Sequence, residues 1–125
     1  MKKNGFTLIE SLVVITMMMV VIAIVSVSYS SASKKNRDNR RIADLERIRT
    51  ALELFRQEDL GGSYPPVSSG QASGLDTGGY IDAWPIGPKG SGVGDTYVYS
   101  RPDAYSYVIK TKLEATGVGY SVANP

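Results

Sequence analysis

The sequence predicts an α+β chain, with one long N-terminal helix packed on a small antiparallel sheet of two or three strands. Three observations carry this. Residues 6 to 27 form an apolar run of 22 residues in which Glu10 is the only charged side chain. No Gly or Pro interrupts the chain between Phe6 and Leu60. From Gly61 onward the composition turns to Gly, Ser, Tyr and Asp, with two β-rich runs, "TYVYS" and "YSYVIKTKLE".

The first part of the helix suits lipid. At 1.5 Å per residue, 22 residues span roughly 33 Å, enough for a bilayer core of about 30 Å. The candidate membrane-embedded side chains are Phe6, Leu8, Ile9, Leu12, Val13, Val14, Ile15, Met17, Met18, Met19, Val20, Val21, Ile22, Ile24, Val25 and Val27. Lys2 and Lys3 precede the run, as in the basic region of a secretory signal. A cleavable signal has an apolar core of about 7 to 15 residues, shorter than this one, although Ser30 and Ala32 offer a small-residue site. The remaining chain is too short to cover a helix that is hydrophobic all round.

The second part is amphipathic. Ile42, Leu45, Ile48, Leu52 and Phe55 recur at spacings of three and four, and Asp44, Glu46, Arg47, Arg49, Glu53 and Arg56 fill the other faces. Serines and β-branched residues between 26 and 36 weaken the helical pattern. Gly61 and Gly62 supply the stop, and Pro65 with Pro66 forbids resumption. A continuous helix of some 50 residues follows, on the order of 75 Å long. A basic collar from Lys34 to Arg41 follows the apolar run, which suits lipid headgroups or acids on a partner. Acids interleave with the collar and an acidic half follows it, so nucleic-acid binding is not predicted.

In the head, residues 67 to 80 read as a loop rich in turn residues. "TYVYS" (96–100), "RPDA" and "YSYVIKTKLE" (105–114) read as strand, turn and strand, and "GYSVAN" adds a short third strand. On the second strand Tyr105, Tyr107, Ile109, Thr111 and Leu113 share the face that packs on the helix stripe. Trp84, with Pro85 and Pro88, anchors the intervening loop against the sheet. Such a small sheet needs a helix across one face. The six tyrosines from Tyr80 onward suit half-buried sheet packing.

The chain has no Cys and no His. That removes thiol nucleophiles, disulfides, Cys/His zinc sites and the usual general base, and no motif supports a serine or carboxylate enzyme. No cofactor is expected. Asp76, Asp82, Asp95 and Asp103 lie in or beside loops and are the available calcium ligands by chemistry. Their spacing matches no EF-hand loop, and solvated turn residues are the plainer reading.

The string Gly5-Phe6-Thr7-Leu8-Ile9-Glu10, after Lys2-Lys3-Asn4, resembles the class III signal of type IV pilins and type II secretion pseudopilins. The layout behind it is similar to small pilins and the major pseudopilin. The resemblance implies a pilin-like fold with residues 1–5 as leader, 6–33 as transmembrane and polymerisation helix, 34–60 as its amphipathic half and 61–125 as head. It implies cutting after Gly5 by a prepilin peptidase, N-methylation of Phe6, and Glu10 meeting the Phe6 amine of a neighbouring subunit. The implied partners are further copies of the chain in a helical polymer, a membrane platform with its assembly ATPase, and membrane lipid before assembly. The implied location is the bacterial inner membrane, then an extracellular pilus or a periplasmic pseudopilus serving secretion or DNA uptake. Two departures stand out. Met19 and Val27 lie near places where members often carry helix breakers, and the missing cysteines rule out a disulfide-bounded C-terminal region. The competing reading is a single-span or secreted binding domain that does not polymerise.

Overall fold

The computed structural model of the protein describes residues 5–90 and 96–124. It divides into two units, one reaching to Lys34 and one beginning at Lys35. Helix α1 runs from Leu8 to Glu58. The serines expected to weaken it turn their hydroxyls back onto its own carbonyls, Ser26 onto Ile22 (2.8 Å) and Ser28 onto Ile24 (3.1 Å). Their polar groups are thereby satisfied without leaving the helix.

In the first unit, every residue from Gly5 to Ala32 is exposed. The apolar run presents Leu8, Ile22 and Val27 as openly as Glu10, and its hydropathy and length suit a membrane span. A contiguous apolar surface of this size is not stable in water, so the run belongs in lipid or against other protein.

The second unit has its own core. Leu45, Ile48, Ala51 and Leu52 of α1 are buried with Tyr64, Leu75, Tyr97, Tyr99, Tyr107, Ile109 and Val122. Complete burial of each Leu or Ile contributes about 1.5–3 kcal/mol. Ile42 and Phe55, the ends of the predicted stripe, are only half-buried. The helix stops where Gly62 takes a φ of +62° and the Asp59 carboxylate accepts bonds from the Ser63 N–H (2.9 Å) and hydroxyl (2.8 Å).

Two sheets complete the unit. Strands β1 (Val67–Ser68) and β2 (Gln71–Ala72) form a minimal hairpin around Ser69 and Gly70, both at positive φ, within the segment expected to be loop. Two left-handed central residues are what a type I′ turn requires, and the strands are too short to show alternation. Strands β3 (Val98–Asp103), β4 (Ser106–Lys112) and β5 (Gly119–Ala123) form an antiparallel meander in that order. Tyr99 pairs with Ile109, and Ile109 with Val122. The Tyr99 N–H also donates to the Gly70 carbonyl (2.8 Å), which ties the small hairpin to β3.

Three local expectations need correction. The turn expected at "RPDA" sits later, because β3 continues through Arg101 and Pro102 to Asp103, with an irregularity in register between Ser100 and Asp103. Pro102 lacks an N–H and is tolerated on an edge strand at such an irregularity. Tyr105 therefore falls in the turn, 61% exposed, and not on the packed face. Leu113 lies past the end of β4 and is half-buried, while Tyr107, Ile109 and Thr111 hold the predicted inward face. As expected, Trp84 packs against the core that the sheet helps to form, and it borders a cavity with Asp44, Arg47 and Ala51.

Candidate functional site

The segment that the motif singles out begins just before α1. Gly5 and Phe6 are exposed and precede the first helical residue, Leu8, so the peptide bond between them lies outside the helical hydrogen-bond ladder. Lys2, Lys3 and Asn4 lie outside the described residues. Thr7 is the cap. The Glu10 N–H donates to Thr7 Oγ1 (3.3 Å), while Glu10 Oε2 accepts from the Thr7 N–H (3.0 Å) and hydroxyl (2.8 Å). This reciprocal pair is a capping box, and it satisfies donors that a helix N-terminus leaves open.

The box engages Glu10 before any second chain is present. Its carboxylate already has a partner within its own chain, so burial in an apolar setting does not start from a bare charge. A carboxylate in the first turn also faces the positive end of the helix dipole. Phe6, Ile9, Glu10, Val13 and Val14 border one shallow groove, which sets the acid in an apolar rim. The Thr-x-x-Glu spacing is the sequence signature of such a box, and reading it would have placed Thr7 in the site.

Residues 1–26 match the prokaryotic N-terminal methylation motif. This match supports a precursor like those of type IV pilins and pseudopilins. No curated protein and no solved structure matches it. The motif is the substrate signal of the prepilin peptidase and leads to pilus-type assembly machinery. With the exposed apolar helix it is consistent with membrane anchoring before assembly.

The basic collar divides in two. Lys34, Lys35 and Arg40 are exposed, whereas Arg37 and Arg41 are engaged by the head. Arg37 meets Glu114 at 2.8 Å, and Arg41 meets Asp38 at 2.8 Å and Glu114 at 2.6 Å. Lys89 reaches the same Glu114 at 2.7 Å. Hydrogen bonds from Arg37, Lys89 and Arg41 hold the Glu114 carboxyl well below the usual carboxylate range. Burial opposes ionisation of Asp38, but the Glu114 and Ala115 N–H groups (both 2.8 Å) and the Arg41 guanidinium outweigh it and lower its pKa. These two arginines are structural fasteners, and they are not available to lipid headgroups.

The aspartates considered for calcium are dispersed. Asp76 accepts from the Thr77 N–H, and Asp103 accepts from the Tyr105 N–H and the Ser106 hydroxyl, each closing its own turn. Asp82 is exposed, and Asp95 lies outside the described residues. Among the described residues no three acidic side chains gather into a metal-binding group.

Proposed function

We propose that the chain is the structural subunit of a type IV pilus-like filament, cut after Gly5 and joined to its neighbours through residues 6–33. The observation that carries this reading is an exposed apolar helix, directly behind a methylation motif, whose only charged residue is Glu10. Cleavage creates an ammonium at Phe6. A neighbour displaced by four residues, roughly 6 Å along the helix, brings that ammonium level with Glu10. The carboxylate then exchanges its bonds to Thr7 for a charge-assisted one, which is shorter and stronger. The exchange works only at that offset, so the pair selects an axial register. No cofactor or catalytic step is part of this function, and the assembly ATPase supplies the work.

A pseudopilin of a secretion or DNA-uptake system uses the same contacts in a shorter periplasmic filament, and the small cysteine-free head suits it equally. Deletion separates the two roles. Loss of surface fibres marks a pilin, and loss of exoprotein secretion or DNA uptake marks a pseudopilin. Mass spectrometry of the mature N-terminus tests the common reading. Methylated Phe6 is expected, whereas a chain starting at Met1 or near Ser33 belongs to a non-polymerising anchor or secreted domain.

A further inference from the structure

One side chain sets where α1 begins. The Ser11 N–H donates to the Thr7 carbonyl (3.2 Å), the first bond of the helical ladder. The Glu10 N–H would reach the Phe6 carbonyl if the helix began one residue earlier, but Thr7 Oγ1 accepts it instead (3.3 Å). Glu10 Oε2 closes the box on the Thr7 N–H (3.0 Å) and hydroxyl (2.8 Å). Gly5 and Phe6 stay exposed ahead of it.

The sequence also offers a competing start three residues upstream. Asn4 is of a residue type that caps helices as well as any. A helix begun there would carry Gly5 and Phe6 in its first turn, with the Gly5 carbonyl accepting the Ile9 N–H. Only the Thr7 start gains a box. Glu10 stands three residues after Thr7, whereas Thr7 itself stands three residues after Asn4.

We infer that Thr7 is a positioning residue for removal of the leader. By capping α1 at Leu8 it keeps the Gly5–Phe6 peptide bond out of the helix and open to the prepilin peptidase. Hydrolysis adds the oxygen of water to the Gly5 carbonyl carbon and breaks its bond to the Phe6 nitrogen, leaving a Gly5 carboxylate and a Phe6 ammonium. A helical turn would tie the Gly5 oxygen to Ile9, and extended peptides are gripped through main-chain groups that must be free. The hydroxyl carries this effect and the carboxylate does not, because Thr7 Oγ1 accepts from a backbone N–H that any residue but proline supplies at position 10. The inference rests on the proposed cut after Gly5 and adds the residue that makes that bond reachable.

Leader release from the full-length precursor in detergent, timed by mass spectrometry with purified prepilin peptidase, tests this. Thr7→Val keeps the side-chain shape and loses the capping oxygen, so it is expected to be cut about five- to tenfold more slowly. Thr7→Ser and Thr7→Asn restore a capping oxygen and are expected to be cut within about twofold of the wild-type rate, as is Glu10→Val. Hydrogen exchange gives a readout independent of the peptidase. The Leu8 and Ile9 N–H groups lack ladder partners at the Thr7 start and gain them at an Asn4 start, so their exchange is expected to slow in Thr7→Val. Equal cutting of Thr7→Val and wild type overturns the inference and leaves the cut after Gly5 standing. So does slower cutting with unchanged exchange, or a loss in Thr7→Ser and Thr7→Asn as large as in Thr7→Val. A wild-type precursor that is not cut after Gly5 overturns the proposed processing, and the inference with it.

Discussion

Arg41 Nη2 lies 2.6 Å from Glu114 Oε1, and this pair joins helix α1 to the residues after β4 across 73 positions of sequence. Arg41 is 1% exposed and also bonds Asp38, whose carboxylate receives the backbone N–H groups of Glu114 and Ala115. The cluster is thus a closed network in which each buried charge has an opposite charge and further hydrogen bonds. Buried ions are tolerated only under that condition. The network fixes the turn between β4 and β5 against the helix at the point where the second unit begins.

Arg41→Ala is therefore expected to destabilise the second unit by about 3–5 kcal/mol, since it strands Asp38 among the groups Arg41 neutralised. Lys89→Ala is expected to cost far less, because Lys89 is 58% exposed and its ion pair is screened by water. Denaturant titration of the detergent-solubilised full chain checks the ranking. Equal losses in the two variants would show that the network carries no more than a surface ion pair.

The same network sets an acid limit. Glu114 and Asp38 both titrate below their ordinary values in the folded chain. A carboxylate depressed on folding adds stability that is complete above its unfolded pKa, about 4, and is lost as pH falls toward the folded value. The melting temperature is expected to hold between about pH 7 and 5 and to fall below about pH 4. Glu114→Gln should start lower at neutral pH and lose less on acidification. Melting curves that fall in parallel for both proteins would remove Glu114 from the explanation.

Glu10 separates processing from assembly. Glu10→Val keeps the apolar run long enough to insert and leaves Gly5 and Phe6 in place. The expected outcome is a mature, methylated, membrane-inserted chain that makes no filaments, read by mass spectrometry, membrane fractionation and electron microscopy. Normal filaments from this variant would sink the register argument. Thr7→Val asks a different question, because it breaks the capping box while leaving the acid. If Thr7 holds Glu10 ready for exchange, that variant assembles more slowly while Glu10→Val does not assemble.

The helix and its functional start were legible because each rests on a local regularity. Leu45, Ile48 and Leu52 repeat at helical spacing, and the absence of Gly and Pro up to Leu60 left nothing to end the helix before Gly61. Gly5, Phe6 and Glu10 form a contiguous motif, and Thr7 was missed only because the i to i+3 spacing was not read as a cap. What stayed hidden depends on distance or brevity. Nothing near Arg41 announces a partner at Glu114. The Ser69-Gly70 hairpin has two-residue strands, too short for alternation. Pro102 looked like a turn because proline usually ends strands, and only its edge position in the sheet allows it to continue one.

The tyrosine core should fail at high pH. Burial pushes the Tyr99 hydroxyl up to about 12, and burial, with the nearby Glu53 charge second, also raises Tyr107. The Tyr99 hydroxyl donates to the Pro65 carbonyl at 2.8 Å, a bond that the tyrosinate cannot make. A group whose pKa rises on folding gives stability that is complete below its unfolded value, near 10, and is lost as pH climbs through the folded one. The second unit is therefore expected to hold to about pH 10 and to unfold as pH approaches about 12, with tyrosinate absorbance and loss of β-sheet circular dichroism changing together. Tyr99→Phe loses the bond to Pro65, so it should be somewhat less stable at pH 7, by about 1 kcal/mol. It should also show a shallower alkaline limb, since one proton fewer is released on unfolding there. If its alkaline limb matches the wild type, ionisation of Tyr99 is not what opens the core.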